Sequence, residues 1–141
     1  MKNLLPILFL VIFAISPVSA EEMMKDKENS NATTYAIAYH ADWCGSCKIL
    51  GPKVKEMKAS LPPEVSDKVE FIKFDFTDDD TKETSQALAE AKGLSEMYMN
   101  HAKTGQLMIV DIETGTILAT IKKDFSVEEI KGAITAISIR S

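Results

Sequence analysis

Cys44 and Cys47 are the only cysteines in this chain of 141 residues, and they stand two residues apart in "HADWCGSCKILGP", residues 40–52. Thiols at this spacing can exchange as a reversible disulfide, supply half of a metal site, or staple a small fold. A staple stabilises by closing a loop in the unfolded chain, and a loop this short constrains little. Small secreted domains held by disulfides also carry four to eight cysteines. Structural zinc needs four ligands, and the two histidines, His40 and His101, do not follow finger spacing. Redox exchange needs less: one thiol that ionises readily and a second within reach. The β-prone run "TTYAIAYHA" leads into the pair, and helical spacing follows from Ser46 to about Ser60. That order puts Cys44 at a helix N-terminus, where unpaired N–H groups and the positive dipole end favour a thiolate. Cys44 is therefore the expected nucleophile, since the thiolate is the attacking species in exchange. Cys47, in the first turn and more buried, resolves the mixed disulfide. Gly45 and Ser46, small and uncharged, leave the entry to Cys44 open.

Other chemistries have less to stand on. "EMYMNHAKTG" sets Met97, Met99 and His101 two apart, and sulfur ligands with imidazole suit copper(I). A copper(I)-binding or delivery protein using the cysteine pair with His and Met is thus the alternative, although methionines near a helix end more often fill core. A Cys44–His40 hydrolase would have its nucleophile trapped by Cys47 in an oxidising compartment. There is no glycine-rich phosphate loop and no GxSxG, and Asp78-Asp79-Asp80 reads as a helix start. No metal and no cofactor are expected.

The elements around the pair must position it. Residues 1–20 read as a secretory signal peptide: Lys2, the apolar stretch Leu4 to Ile15, and the small-residue pattern Val18-Ser19-Ala20. This run is too short to span a bilayer comfortably, so a periplasmic or secreted protein without stable membrane insertion is expected, in a compartment where cysteines can pair. Residues 21–32 are polar and lack periodicity, the pattern of a flexible leader. Residues 33–141 suffice for one domain with one core. The formal charge of −5 argues against nucleic acid or an anionic membrane as partner, since either favours a basic patch. "TTYAIAYHA" and "VEFIKFDF" read as strands, the first buried on both faces. The helix after Cys44 carries Ile49, Leu50, Val54, Met57 and Leu61 at helical spacing, with Pro52 inside it. "LPPEVSDK" breaks the chain. "TDDDTKETSQALAEAKGL" reads as a helix with acids in its first turn and Gly93 near its end. "QLMIVDI" and "TILATIKK" form a hairpin across "ETG", and Ser126 caps a last helix, "VEEIKGAITAIS". The order predicts an α/β fold: a central mixed sheet, its first two strands parallel across a helix, flanked by helices on both faces.

"WCGSCK", with Pro52 five residues beyond Cys47, resembles the active site of the thioredoxin family. In element order the resemblance extends from about Thr33 to Ser138. It implies a thioredoxin-like fold in a minimal version, since the leader is too short for the extra N-terminal strand and helix of full thioredoxins. It also implies a monomeric thiol–disulfide oxidoreductase that exchanges disulfides with protein partners and depends on a partner redox protein, with a slight lean towards a reductant. Trp43 becomes a rim residue that packs substrate over the disulfide. Three positions depart from the family. Its buried acid falls on Ala38, which leaves Lys73 without that acid as partner. His40 replaces an aromatic residue and is placed to tune Cys44 or relay a proton. The family's cis-proline falls on Gly105, after Thr104; a trans peptide is expected there, with the loop still approaching Cys44 and glycine permitting close backbone contact with a peptide.

Overall fold

The computed structural model describes residues 31–140; the segment expected to be a signal peptide (1–20) and most of the expected leader (21–32) lie outside the described residues. β1 (Thr34–His40) and β2 (Val69–Asp75) run parallel, joined by α1 (Gly45–Ser60) and the short α2 (Pro63–Ser66). After β2 come α3 (Asp79–Ala91), α4 (Ser95–Asn100), β3 (Gln106–Asp111), β4 (Ile117–Ile121) and α5 (Val127–Arg140). β3 lies antiparallel to both β1 and β4, giving the sheet order β2-β1-β3-β4. This is the mixed sheet the sequence predicts, and among the described residues no strand or helix precedes β1.

Each face of the sheet buries its own cluster. Ile37, Tyr39 and Ala41 point one way with Ile72, Phe74, Phe76 and the two cysteines, covered by Ala89 of α3 and by Leu94. Ala36 points the other way with Leu107 and Ile109, against Leu50 and Met57 of α1 and Ile130 and Ile134 of α5. The alternation follows from the period-2 side-chain geometry of a strand. Burial of every residue from Gln106 to Val110 in β3 explains why "QLMIV" shows no alternation.

Local signals account for the helix ends. Asp78 caps α3 by accepting from Thr81 N–H at 2.8 Å, and Thr81 Oγ1 accepts in return from Asp78 N–H, a reciprocal capping box. Ser126 and Glu129 do the same for α5. Gly93, at φ +69°, turns the chain out of α3. Two sequence expectations change. "LPPEVSDK" contains the one-turn helix α2 rather than a plain break, because Pro63 at its first position already has a helical φ. Ile49 is half exposed, whereas Leu50 and Met57 are buried with Val54 and Leu61 packed beside them. Steps of four, three and four residues keep those four on one stripe; Ile49 lies about 100° round the helix from Leu50.

Candidate functional site: the Cys44–Cys47 turn

β1 ends at His40, and the chain turns through Ala41, whose carbonyl accepts from Cys44 N–H at 3.1 Å. Cys44 is the N-cap of α1, and its Sγ accepts the backbone N–H of Cys47 at 3.2 Å. The two cysteines are joined as a disulfide, with Cα atoms 5.3 Å apart. Cys47 Sγ also lies 3.7 Å from the Tyr39 carbonyl oxygen. The helix begins at Gly45, one residue earlier than expected. Burial differs less between the two cysteines than the sequence suggested, at 7% exposed for Cys44 and 5% for Cys47. The N–H donated to Cys44 Sγ is the kind of contact that stabilises a thiolate when the disulfide opens.

An aromatic layer supports the pair. Tyr39 meets Phe74 edge-on at 5.6 Å and stacks with Phe76 at 6.3 Å, and Phe76 stacks with Tyr98 at 5.1 Å. The Tyr39 hydroxyl donates to the Met97 carbonyl at 3.0 Å, and burial pushes its phenol up to about 12.

The remaining predicted residues divide between those that reach the pair and those that do not. Gly105 reaches it. Its φ is +86°, its N–H donates to the Tyr39 carbonyl at 2.8 Å, and every peptide bond among the described residues is trans. A Cβ added at Gly105 would lie 2.7 Å from Ser46 Cβ and 3.4 Å from Cys44 Sγ. The loop carrying Thr104 and Gly105 therefore closes on the cysteines as expected, through backbone alone. Trp43 is 66% exposed, and its indole Nε1–H donates to the Thr77 carbonyl at 3.2 Å, which holds the ring at the rim. His40 Nε2 faces Asp42 Oδ1 at 3.1 Å, so exposed Asp42 also has a partner.

Lys73 corrects an expectation. It sits beside Ala38 in the β1–β2 register, as the resemblance requires, but it does not lack a partner: its ammonium pairs with Asp75 Oδ2 at 2.9 Å. Burial pushes the Asp75 carboxyl up, but hydrogen bonds from Thr77 and Lys73 together outweigh burial and hold it below its ordinary range. Thr77 in turn accepts Asp42 N–H on its hydroxyl at 3.0 Å. Asp75 and Thr77 thus tie the end of β2 to the loop carrying Asp42 and Trp43. Sequence reasoning missed both, because the partners lie more than thirty residues apart; the one signal was a threonine just after a strand, a common local-turn residue.

The side chains proposed for copper do not share one environment. Met97 packs on the aromatic layer, whereas Met99 is 67% exposed. Among the described residues no group of three or more His, Cys, Asp or Glu side chains converges to hold a metal.

Comparison with known proteins follows the geometry. The sequence profile of the thioredoxin family matches residues 17–123. A protein disulfide-isomerase from Humicola insolens is 32% identical over 96 residues, covering 62% of this chain and 19% of that protein. The mitochondrial thioredoxin of Mus musculus is 43% identical over 35 residues, covering 25% of this chain and 21% of its own. The chain therefore spans about a fifth of the length of the curated relatives it matches. Among solved structures, Trxlp from Edwardsiella tarda superposes with a TM-score of 0.49 at 14% identity, covering 84% of this chain and 95% of that one.

Proposed function

This chain belongs to the thioredoxin family, and from that premise we propose that it is a thiol–disulfide oxidoreductase acting on protein partners through Cys44 and Cys47. One observation carries the reading: a disulfide in the first turn of a helix, with Cys47 N–H directed at Cys44 Sγ. In the reducing direction, Cys44 thiolate attacks one sulfur of a substrate disulfide. A mixed disulfide forms, and the other substrate sulfur leaves as a thiolate. Cys47 thiolate then attacks Cys44 Sγ, releasing the second substrate thiolate and restoring the Cys44–Cys47 bond. Two electrons pass from the pair to the substrate, and the reverse sequence oxidises a dithiol. Trp43 offers an exposed indole to a bound peptide, and the Thr104–Gly105 loop brings a backbone without side chain beside Ser46 and Cys44.

The reading extends to location and direction. The signal-like residues 1–20 support export to the periplasm or beyond, where a partner redox protein recharges a monomeric reductant. No second reading has a specific observation in its favour.

The test combines a potential with a trap. Equilibrated in thiol buffers, the pair of a reductant is expected near −270 mV, the thioredoxin value, and a value near −120 mV would make it an oxidant instead. Cys47→Ser is expected to accumulate a mixed disulfide with a substrate protein through Cys44, visible on a non-reducing gel. Failure of the pair to equilibrate reversibly, together with no trapped adduct, would remove the assignment.

A further inference from the structure

Behind the cysteine pair, a cavity of about 700 Å³ opens between α1 and the β1–β2 side of the sheet, with Cys47 in its lining. Sites for small molecules commonly measure about 300–1,000 Å³. Its origin is a pair of small residues: Ala38 of β1 and Gly51 of α1 border the space from opposite sides. Facing layers normally interdigitate to near-crystal density; here side chains that would fill the gap are missing. Leu50, Val54 and Phe71 give it apolar walls.

Its charge is one-sided. Lys55, Lys58 and Lys73 line the cavity and no carboxylate does, in a chain whose net charge is −5. Lys73 is committed to Asp75. Lys55 and Lys58 stand three residues apart on α1 and are therefore neighbours on the helix surface. Both are exposed, and Lys58 Nζ lies 4.6 Å from the centroid of the Phe71 ring. Lys55 makes no ion pair among the described residues. Lysines of this kind lay their methylenes along apolar surface and keep the ammonium at the water boundary.

We propose that this cavity binds a small carboxylate with an unbranched apolar tail, of the fatty-acid class, its tail along Ala38, Val54 and Phe71 and its carboxylate between Lys55 and Lys58. An apolar floor flanked by the two exposed lysines of α1 matches such a molecule at both ends. A neutral apolar molecule would leave the lysines unused, and a compact anion would leave the floor unfilled.

The experiment titrates decanoate, kept below the concentration at which it self-associates, into the full oxidised chain by calorimetry, with decanol as the neutral control. Saturable one-to-one binding of decanoate is expected, with decanol weaker by about tenfold or more. Lys55→Glu combined with Lys58→Glu should weaken decanoate by a similar factor. Gly51→Leu should abolish binding by occupying the space. It keeps the fold, because nothing lies within 4 Å of a Cβ added at Gly51 and leucine is the better helix former. Absence of saturable binding, equal affinity for decanol, or unchanged binding by either variant would overturn the assignment.

Discussion

At Gly105 the backbone takes φ +86° beside Ser46 Cβ and Cys44 Sγ, so both conformation and space there select against any side chain. Gly105→Ala is expected to cost about 1–3 kcal/mol of stability in chemical denaturation and to slow exchange at Cys44 by displacing Ser46. Gly105→Pro should be worse still. The ring fixes φ near −65°, and the substitution removes the N–H that Tyr39 accepts, so restoring the family's residue alone does not restore the family's loop. Tyr39 makes a second prediction. Its phenol is pushed up to about 12 by burial, from an ordinary 10.0. The unfolded chain releases that proton first, so the stability tied to the neutral phenol is whole below pH 10 and is lost as pH rises from 10 towards 12. Denaturation midpoints measured across that range should fall less steeply for Tyr39→Phe. That variant should also lose about 1 kcal/mol at neutral pH with its bond to Met97.

Between elements, the contact that matters most to the site joins the end of β2 to the loop after β1. Asp75 accepts from Thr77 and Lys73, while Thr77 accepts Asp42 N–H on its hydroxyl and Trp43 Nε1–H on its carbonyl. Asp75→Asn is expected to cost about 1–3 kcal/mol and to shift the emission of Trp43, the only tryptophan. Because the Asp75 carboxyl is held below its ordinary range, it stabilises the fold above the unfolded value and loses that contribution as pH falls through the folded one. The acid limb of a stability–pH curve should therefore be shallower in the Asn variant. Thr77→Val separates the two links: it removes the hydroxyl but keeps the carbonyl that holds the indole, so the loop should loosen with less change at Trp43. None of this was legible in the sequence, where Asp75 reads as part of a strand and Thr77 as the start of the next helix. What was legible obeyed short-range rules: the acids that open α3, the Ser126 cap, and the apolar stripe of α1 through Leu50, Val54 and Met57.

For the whole molecule, element order and apolar runs sufficed for the mixed sheet and its two covered faces, because a strand buried on both sides and a crossover helix leave few topologies open. The placement of Cys44 and Cys47 was equally legible, since both lie within a few residues of the elements that fix them. The cavity was not. It depends on Ala38 and Gly51 meeting across two layers, and small residues far apart in sequence carry no signal that they will face one another. The position of β1 has a further consequence. It is hydrogen-bonded on both sides, by β2 and by β3, with full burial at Thr34, Ala36 and Ile37. Amide hydrogens in such a strand exchange with solvent only through the costliest openings of a protein. In deuterium oxide, the β1 amides are expected to be among the last to exchange, while the edge strand β4 exchanges early. In the proposed exchange the two sulfurs hang four and seven residues beyond this strand, so many chemical cycles could pass without one opening of the strand that carries them.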